Sequence, residues 1–332
     1  MEVNSKRVIN VPKGSTGAII SYLDKNNYNL NTIDTVVTMF LGYPQSGWID
    51  LKAHRMTKLD FLYKLTTSKA ALEKITLLPG ETYYFFLQDV AKKLNISTMK
   101  LFDQYALQAY RKDGNIIADT YHLPIGMDEK DLIEHLLNLS ESKYKSLSNK
   151  IFGMYDKKNW YDKYITIASI IQKEAASKDE MSKVSSVIYN RLNKGMKLQM
   201  DGVLNYSKFS HTKVTPKMIK EDKSEYNTYK KKGLPNNPVC AVEIEAIKSA
   251  IFPAKSRYLY FMRSADGSKH IFSESYKKHR QVIRTVKKES YRLKKTAKAK
   301  KTTAPKPVKT KVVKKTVKKT IDKTQKLKNL WK

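Results

Sequence analysis

The chain opens by using one short pattern twice. Val8-Ile-Asn-Val-Pro12-Lys-Gly14-Ser15-Thr16 leads into apolar residues at Ile19, Ile20 and Leu23. Ile75-Thr-Leu-Leu-Pro79-Gly80-Glu81-Thr82 leads into Phe86, Val90, Ala91 and Leu94. Each copy reads as a short strand, a Pro/Gly turn, a Ser or Thr near a helix start, and an amphipathic helix. A chain that mixes strand and helix in this way from its first residues points to an α+β fold. The plain alternative is an ordinary α+β element used twice.

The later segments agree with that class. Ser97 to Tyr110 reads as a helix through Leu101, Phe102, Tyr105 and Ala109, and Gly114 to Pro124 as a loop entering a new layer. Met127 to Ser142 returns to a helical pattern through Leu132, Ile133, Leu136 and Leu139. Trp160 to Leu192 is strongly helical, with a stop at Gly195. Tyr258–Met262 and Lys269–Phe272 flank Asp266-Gly267, a hairpin signal because Asp-Gly accepts the positive φ of such turns. A helix from about Glu274 closes the fold.

A chain of 332 residues is long enough for about two domains. The expected divisions are 1–110, 111–290 and a Lys-rich tail from 291 to 332. That tail holds 17 Lys and Arg against one acid, Asp322, and its Lys, Thr, Val, Ala and Pro cannot build a core, so disorder is expected there. The whole chain carries a formal charge of +33, and the body before the tail is itself basic. Such charge favours polyanionic surroundings without choosing among nucleic acid, lipid and wall polymer. Cys240 is the single cysteine, which excludes an intramolecular disulfide and a Cys-based zinc site. No run reaches about 18 apolar residues, so no membrane span is expected, and Met1 to Ile9 lacks the apolar core of a secretory signal.

One residue stands out for chemistry. On the stripe that starts at Ile167, positions plus four and plus seven are Ile171 and Glu174. A carboxyl placed where a core residue should be loses solvation, and desolvation raises its pKa toward the value a general acid needs. The plain alternative is a helix-end glutamate lifting to solvent or pairing with Lys or Arg. A two-carboxylate glycosidase needs a second acid. Asp201, Glu225 and Glu243 are available, and no spacing singles one out. The six histidines form no His-Glu-x-x-His pair, and neither a Gly-x-Ser-x-Gly elbow nor a phosphate loop occurs. Downstream lie Asn190-Arg191, Leu198-Gln199-Met-Asp201-Gly202, Tyr226-Asn227-Thr228-Tyr229 and Gly233-Leu-Pro235-Asn-Asn-Pro238, a set of amides and tyrosines suited to a sugar site or simply to loops.

Taken in order, these runs resemble the YceG-like endolytic murein transglycosylases, the MltG family. The matching pieces are IASIIQKEAA (167–176), VSSVIYNRL (184–192), GMKLQMDGVLNY (195–206), YNTY (226–229), GLPNNPV (233–239), AIKSAIFPAKSRYLYFM (246–262) and KHIFSESYKKH (269–279). The resemblance runs from about Val8 to Val286 and implies LysM-like modules in the repeated start. It implies that Glu174 is a single acid/base that cuts the β-1,4 bond between N-acetylmuramic acid and N-acetylglucosamine within a strand. The product is a 1,6-anhydro end, with no metal or cofactor. It further implies Gln199, Asp201, Tyr226 and Asn227 as substrate-site residues, with His270 and Phe272 near the cleft or His270 as a structural hydrogen-bonding residue. It places the enzyme at the outer side of the inner membrane, with glycan strands as substrate and a peptidoglycan synthase as an expected partner. The chain departs from the family in lacking a membrane-spanning start, in reading Leu-Pro79-Gly80-Glu81 for Pro-Glu-Gly, in Asn236, and in the Lys-rich tail. Three other readings compete: a non-catalytic peptidoglycan-binding protein built on the repeated unit, a basic nucleic-acid-binding protein, and a true hydrolase on the same fold, which would leave reducing muramic acid ends.

Overall fold

A computed structural model describes Glu2–Thr303, with side chains through Thr296. The first part holds β1 (Glu2–Asn4), β2 (Val8–Val11), α1 (Thr16–Lys25), α2 (Thr32–Leu41), β3 (Gly47–Asp50), β4 (Arg55–Thr57) and α3 (Lys58–Thr67). β2 pairs antiparallel with β3, from Val8 opposite Asp50 to Val11 opposite Gly47. The two intervening helices make this a βααβ unit. Ser15 is the cap of α1, its Oγ accepting the Ala18 N–H at 3.3 Å. The predicted stripe Ile19, Ile20 and Leu23 is buried against Val11, Ile49, Phe61 and Leu65.

The second copy has the same topology. β5 (Leu72–Thr76), α4 (Tyr83–Leu94), α5 (Thr98–Gln108) and β6 (Thr120–Pro124) form a βααβ unit, and β5 pairs antiparallel with β6. The segment read as a loop over 114–124 thus ends in a strand. Tyr121 and Leu123 alternate inward there, a pattern too short to announce itself in sequence. Phe86, Val90, Ala91 and Leu94 are buried as expected. Thr82 makes no cap hydrogen bond. The start of α4 is held instead by Asp113, whose Oδ2 accepts the Tyr83 N–H at 3.2 Å.

This pairing bears on the division read at residue 110. That position falls between β5 and β6, inside the second unit. The same core takes in Ile116, Met127, Leu132, Ile133 and Leu136, and also Ala241 from far along the chain. α6 (Glu129–Phe152) crosses from this core into the next, because Tyr144 and Ser148 continue its buried face beyond Ser142. Gly153, at φ +73°, ends it.

The remaining elements form a third core. A short turn α7 (Lys157–Asn159) and a π-helical turn (Trp160–Ile165) lead into α8 (Thr166–Glu174). A 3-10 turn (Lys178–Glu180) separates it from α9 (Met181–Asn193). α10 (Asp201–Leu204), α11 (Pro216–Glu221) and α12 (Ile244–Ile251) follow. Ile167, Ala168, Ile170 and Ile171 of α8 pack on Val184 and Ile188 of α9 and on Ala246, Ile247 and Ala250 of α12. The hairpin is β7 (Tyr260–Arg263) and β8 (His270–Ser273), with Gly267 at φ +76° in its turn. α13 (Tyr276–Thr303) runs past the division read at 291, and the rest of the Lys-rich tail, 304–332, lies outside the described residues.

Candidate active site

Glu174 is the last residue of α8, where the helix leaves the third core. Burial raises its carboxyl from 4.5 to about 7. The Gly202 N–H, donating to Oε1 at 2.8 Å, pulls the other way, and the neighbouring Asp201 pushes it up again. Arg191 and Lys173 lower it by smaller amounts. The balance leaves an acid that holds its proton near neutral pH and yet is only partly buried, so a substrate oxygen can reach it.

The Gly202 contact explains why glycine stands there. A Cβ on Gly202 would lie 2.6 Å from Lys173 Cβ and 3.0 Å from Glu174 Oε1. Only a bare backbone lets α10 approach the end of α8 this closely.

The Leu198–Gly202 segment is held by Tyr226–Tyr229. Gln199 N–H donates to Thr228 O at 3.1 Å. The Thr228 hydroxyl accepts from Met200 N–H at 3.0 Å and donates to Met200 O at 3.2 Å. Tyr229 O–H donates to Asp201 Oδ1 at 2.5 Å, which keeps Asp201 turned toward the phenol. Arg191 is 7% exposed and braces the segment from beneath, donating to Leu198 O and Leu259 O at 2.6 Å each.

Of the residues anticipated for the substrate site, Asp201 lies beside Glu174, and Gln199 is exposed two residues before it. The other two are placed for support. Asn227 is fully buried, both its amide hydrogens go to Ile219 O (2.9 Å) and Asp222 O (2.8 Å), and its oxygen accepts the Tyr229 N–H. It has no hydrogen to offer a sugar. Tyr226 is 8% exposed and stacks on Tyr206 with centroids 4.4 Å apart, so its ring face is covered by protein. His270 donates its backbone N–H to Glu180 Oε1 at 2.7 Å and sets Nδ1 2.9 Å from Oε2, the structural alternative for this residue. Phe272 packs against the third core.

Sequence reasoning missed Tyr229, Thr228 and the Gly202 N–H. Tyr229 stood in the same four-residue run as Tyr226, and nothing local distinguishes which ring reaches Asp201. Gly202 carried a fainter signal, since a glycine inside a short helix costs stability unless something must come close. Of the other candidate acids, Glu225 lies 3.7 Å from Lys112 and Glu243 is paired with Lys178 at 2.5 Å.

This fold and this stretch of sequence define a family. The model described as the YceG-like family matches residues 9–285. The chain belongs to that family. It is similar to an endolytic murein transglycosylase of Bacillus subtilis (strain 168), 28% identical over 299 residues covering 82% of each chain. It is also similar to an endolytic murein transglycosylase of Streptococcus pneumoniae serotype 2 (strain D39), 29% identical over 247 residues, 72% of this chain and 43% of that relative. A crystal structure of a YceG-like protein from Listeria monocytogenes superposes with a TM-score of 0.52 at 22% identity, over 85% of this chain and 99% of that one. That likeness concerns the fold.

Proposed function

We propose that this chain is an endolytic murein transglycosylase with Glu174 as its single acid/base. The observation that carries the reading is a half-buried glutamate at the end of an apolar helix, its carboxyl raised by burial to about 7 and fixed by one backbone N–H. In its protonated form Glu174 gives its proton to the oxygen leaving the muramic acid anomeric carbon. The resulting carboxylate then takes the proton of the muramic acid 6-hydroxyl, whose oxygen closes on that carbon as a 1,6-anhydro ring. The C1–O4 bond breaks, the C1–O6 bond forms, and Glu174 ends protonated as it began. Because the nucleophile belongs to the substrate, no second catalytic carboxylate is needed, and the attack has the entropic advantage of an intramolecular step.

Asp201 and Gln199 contact the substrate in this reading, while Tyr229 orients Asp201, and Asn227 and Thr228 hold the loop. The two βααβ units are LysM-like modules that track the glycan, and the catalytic region begins after β6. The enzyme works at the outer face of the cell membrane beside a peptidoglycan synthase, as the family resemblance implies; among the described residues no helix is long and apolar enough to cross a membrane.

Mass spectrometry of purified glycan strands after incubation tests this. Anhydromuramic ends from the wild-type chain, absent with Glu174→Gln, are expected. The competing reading is a hydrolase that uses Asp201, the neighbouring acid, as its second carboxylate. Reducing muramic ends in place of anhydro ends would establish that reading and refute the internal attack.

A further inference from the structure

A cavity of about 390 Å3 lies where the first βααβ unit meets α6, and it shares no lining residue with the Glu174 site. Its size is that of a small-ligand pocket, about 300–1,000 Å3. One wall is the stripe Asp131, Glu134, His135 and Asn138, whose spacings of three and four residues put them on one face of α6. The opposite wall carries Asn10 of β2, Asn26 at the end of α1 and Trp48 of β3.

The cavity is acidic within a strongly basic chain. The Lys6 ammonium is already seated on Asp131, which shows that this edge takes a cation. Glu134, one turn further along, is exposed and makes no ion pair or hydrogen bond among the described residues. The Lys6 ammonium also feels Glu134 without pairing with it, and His135 adds no second positive charge, because burial lowers the imidazole pKa and keeps the ring neutral. Trp48 lies edge-on to that ring, with centroids 4.9 Å apart at 88°.

The remaining polar groups are amides. Asn10 and Asn138 are exposed, and their side chains make no hydrogen bond among the described residues. Asn26 donates to Tyr22 O at 2.7 Å, which leaves its carbonyl oxygen open. Side-chain amides match peptide groups donor for acceptor, a free carboxylate matches an ammonium, and the indole covers an aliphatic stem.

We propose that this cavity binds a short peptide carrying a free side-chain amine, with the ammonium on Glu134 and the peptide groups on Asn10, Asn26 and Asn138. The proposal rests on murein as the substrate, whose uncross-linked stem peptides present a diamino-acid amine. Bound there, a stem peptide ties the first unit to α6 and sets which strands are held for cutting.

Isothermal titration of the full chain with the tetrapeptide L-Ala-D-isoGln-L-Lys-D-Ala tests the site, with its Nε-acetyl form and chitotetraose as controls. The free peptide is expected to bind. Acetylation and Glu134→Gln are each expected to weaken it at least about tenfold, the loss of one charge-assisted contact. Cutting of peptide-free glycan by Glu134→Gln should match wild type. No binding of the free peptide, equal binding of the acetylated form, or an affinity untouched by Glu134→Gln overturns the proposal. So does chitotetraose binding that Glu134→Gln abolishes, which would make the cavity a sugar site. The two readings fail separately: peptide binding without anhydro ends sinks the transglycosylase, and anhydro ends without peptide binding sink this site.

Discussion

Glu174→Gln is expected to destroy cleavage and, at the same time, to make the folded chain more stable, but only at high pH. The carboxyl goes from 4.5 to about 7 on folding. Between those values the folded chain keeps a proton that the unfolded chain has released, so rising pH removes stability. Below 4.5 both states are protonated and the cost disappears. With about 1.4 kcal/mol per tenfold in acid strength, the ionised carboxylate costs the fold about 3 kcal/mol at pH 8 and under about 1 kcal/mol at pH 5. Gln keeps the oxygen that accepts the Gly202 N–H and never carries charge. Urea unfolding of both proteins at pH 5 and pH 8 measures the difference, in which titrating groups not coupled to Glu174 cancel. A stability gap that widens toward pH 8 in favour of the variant supports the account. An equal gap at both pH values, or a variant less stable at pH 8, would show that Glu174 is not held protonated and would remove the basis for its role as an acid.

Asp201→Asn removes a charge that pushes Glu174 up, so the alkaline limb of the kcat profile should move to lower pH; a limb that stays put or rises refutes the coupling. Gly202→Ala forces α10 away from Lys173 and Glu174, and a displacement of about 1 Å at the acid should lower kcat on the order of 100-fold with near-normal circular dichroism. Tyr229→Phe frees Asp201 from its phenol partner and should lower kcat/KM about tenfold without moving the urea midpoint much. If either variant cuts glycan at the wild-type rate, the loop geometry around Glu174 is unimportant to the reaction.

What could be read from sequence divides along physical lines. Both strand–turn–helix starts and the hairpin were legible because each depends on local signals: a Ser15 cap, an apolar stripe, an Asp-Gly turn. Glu174 was legible because a charged residue on an otherwise apolar helical stripe breaks a period. β6 was not, since two inward residues in five cannot establish an alternation. Asn227 meets a different limit. Its chemistry suits an N-acetyl group equally well, and only the folded position of Ile219 and Asp222 shows that its hydrogens are already taken. Asp113 was invisible in the same way, as its role as a substitute cap for α4 depends on a contact across 30 positions.

A cut at residue 110, the division read from the element pattern, is expected to break the second βααβ unit. A chain beginning at residue 111 would lose β5, α4 and α5, leaving β6 unpaired and Ile116, Tyr121, Leu123, Leu132, Ile133 and Leu136 exposed. At about 1.5–3 kcal/mol for each large apolar side chain, the loss is roughly 9–18 kcal/mol, as large as the whole stability of an ordinary domain. The damage reaches Glu174 through the backbone. Gly80 N–H donates to Ala241 O at 3.0 Å and Ala241 N–H to Glu81 O at 2.8 Å, and both bonds go with the deleted residues. The segment so held is the one that braces α8, since Val239 N–H donates to Ser169 Oγ and Glu243 N–H to Gln172 Oε1. A chain beginning near residue 70 keeps all of these bonds and loses the first unit, which lends the second core only Val8 and the flank of Trp48 and otherwise packs on itself. Expression of the two truncations, followed by circular dichroism and limited proteolysis, should give a folded chain from 70 and an aggregated or protease-labile one from 111. A cooperative, protease-resistant fragment from 111 would mean that the second βααβ unit is an independent module and that the acid is positioned without it.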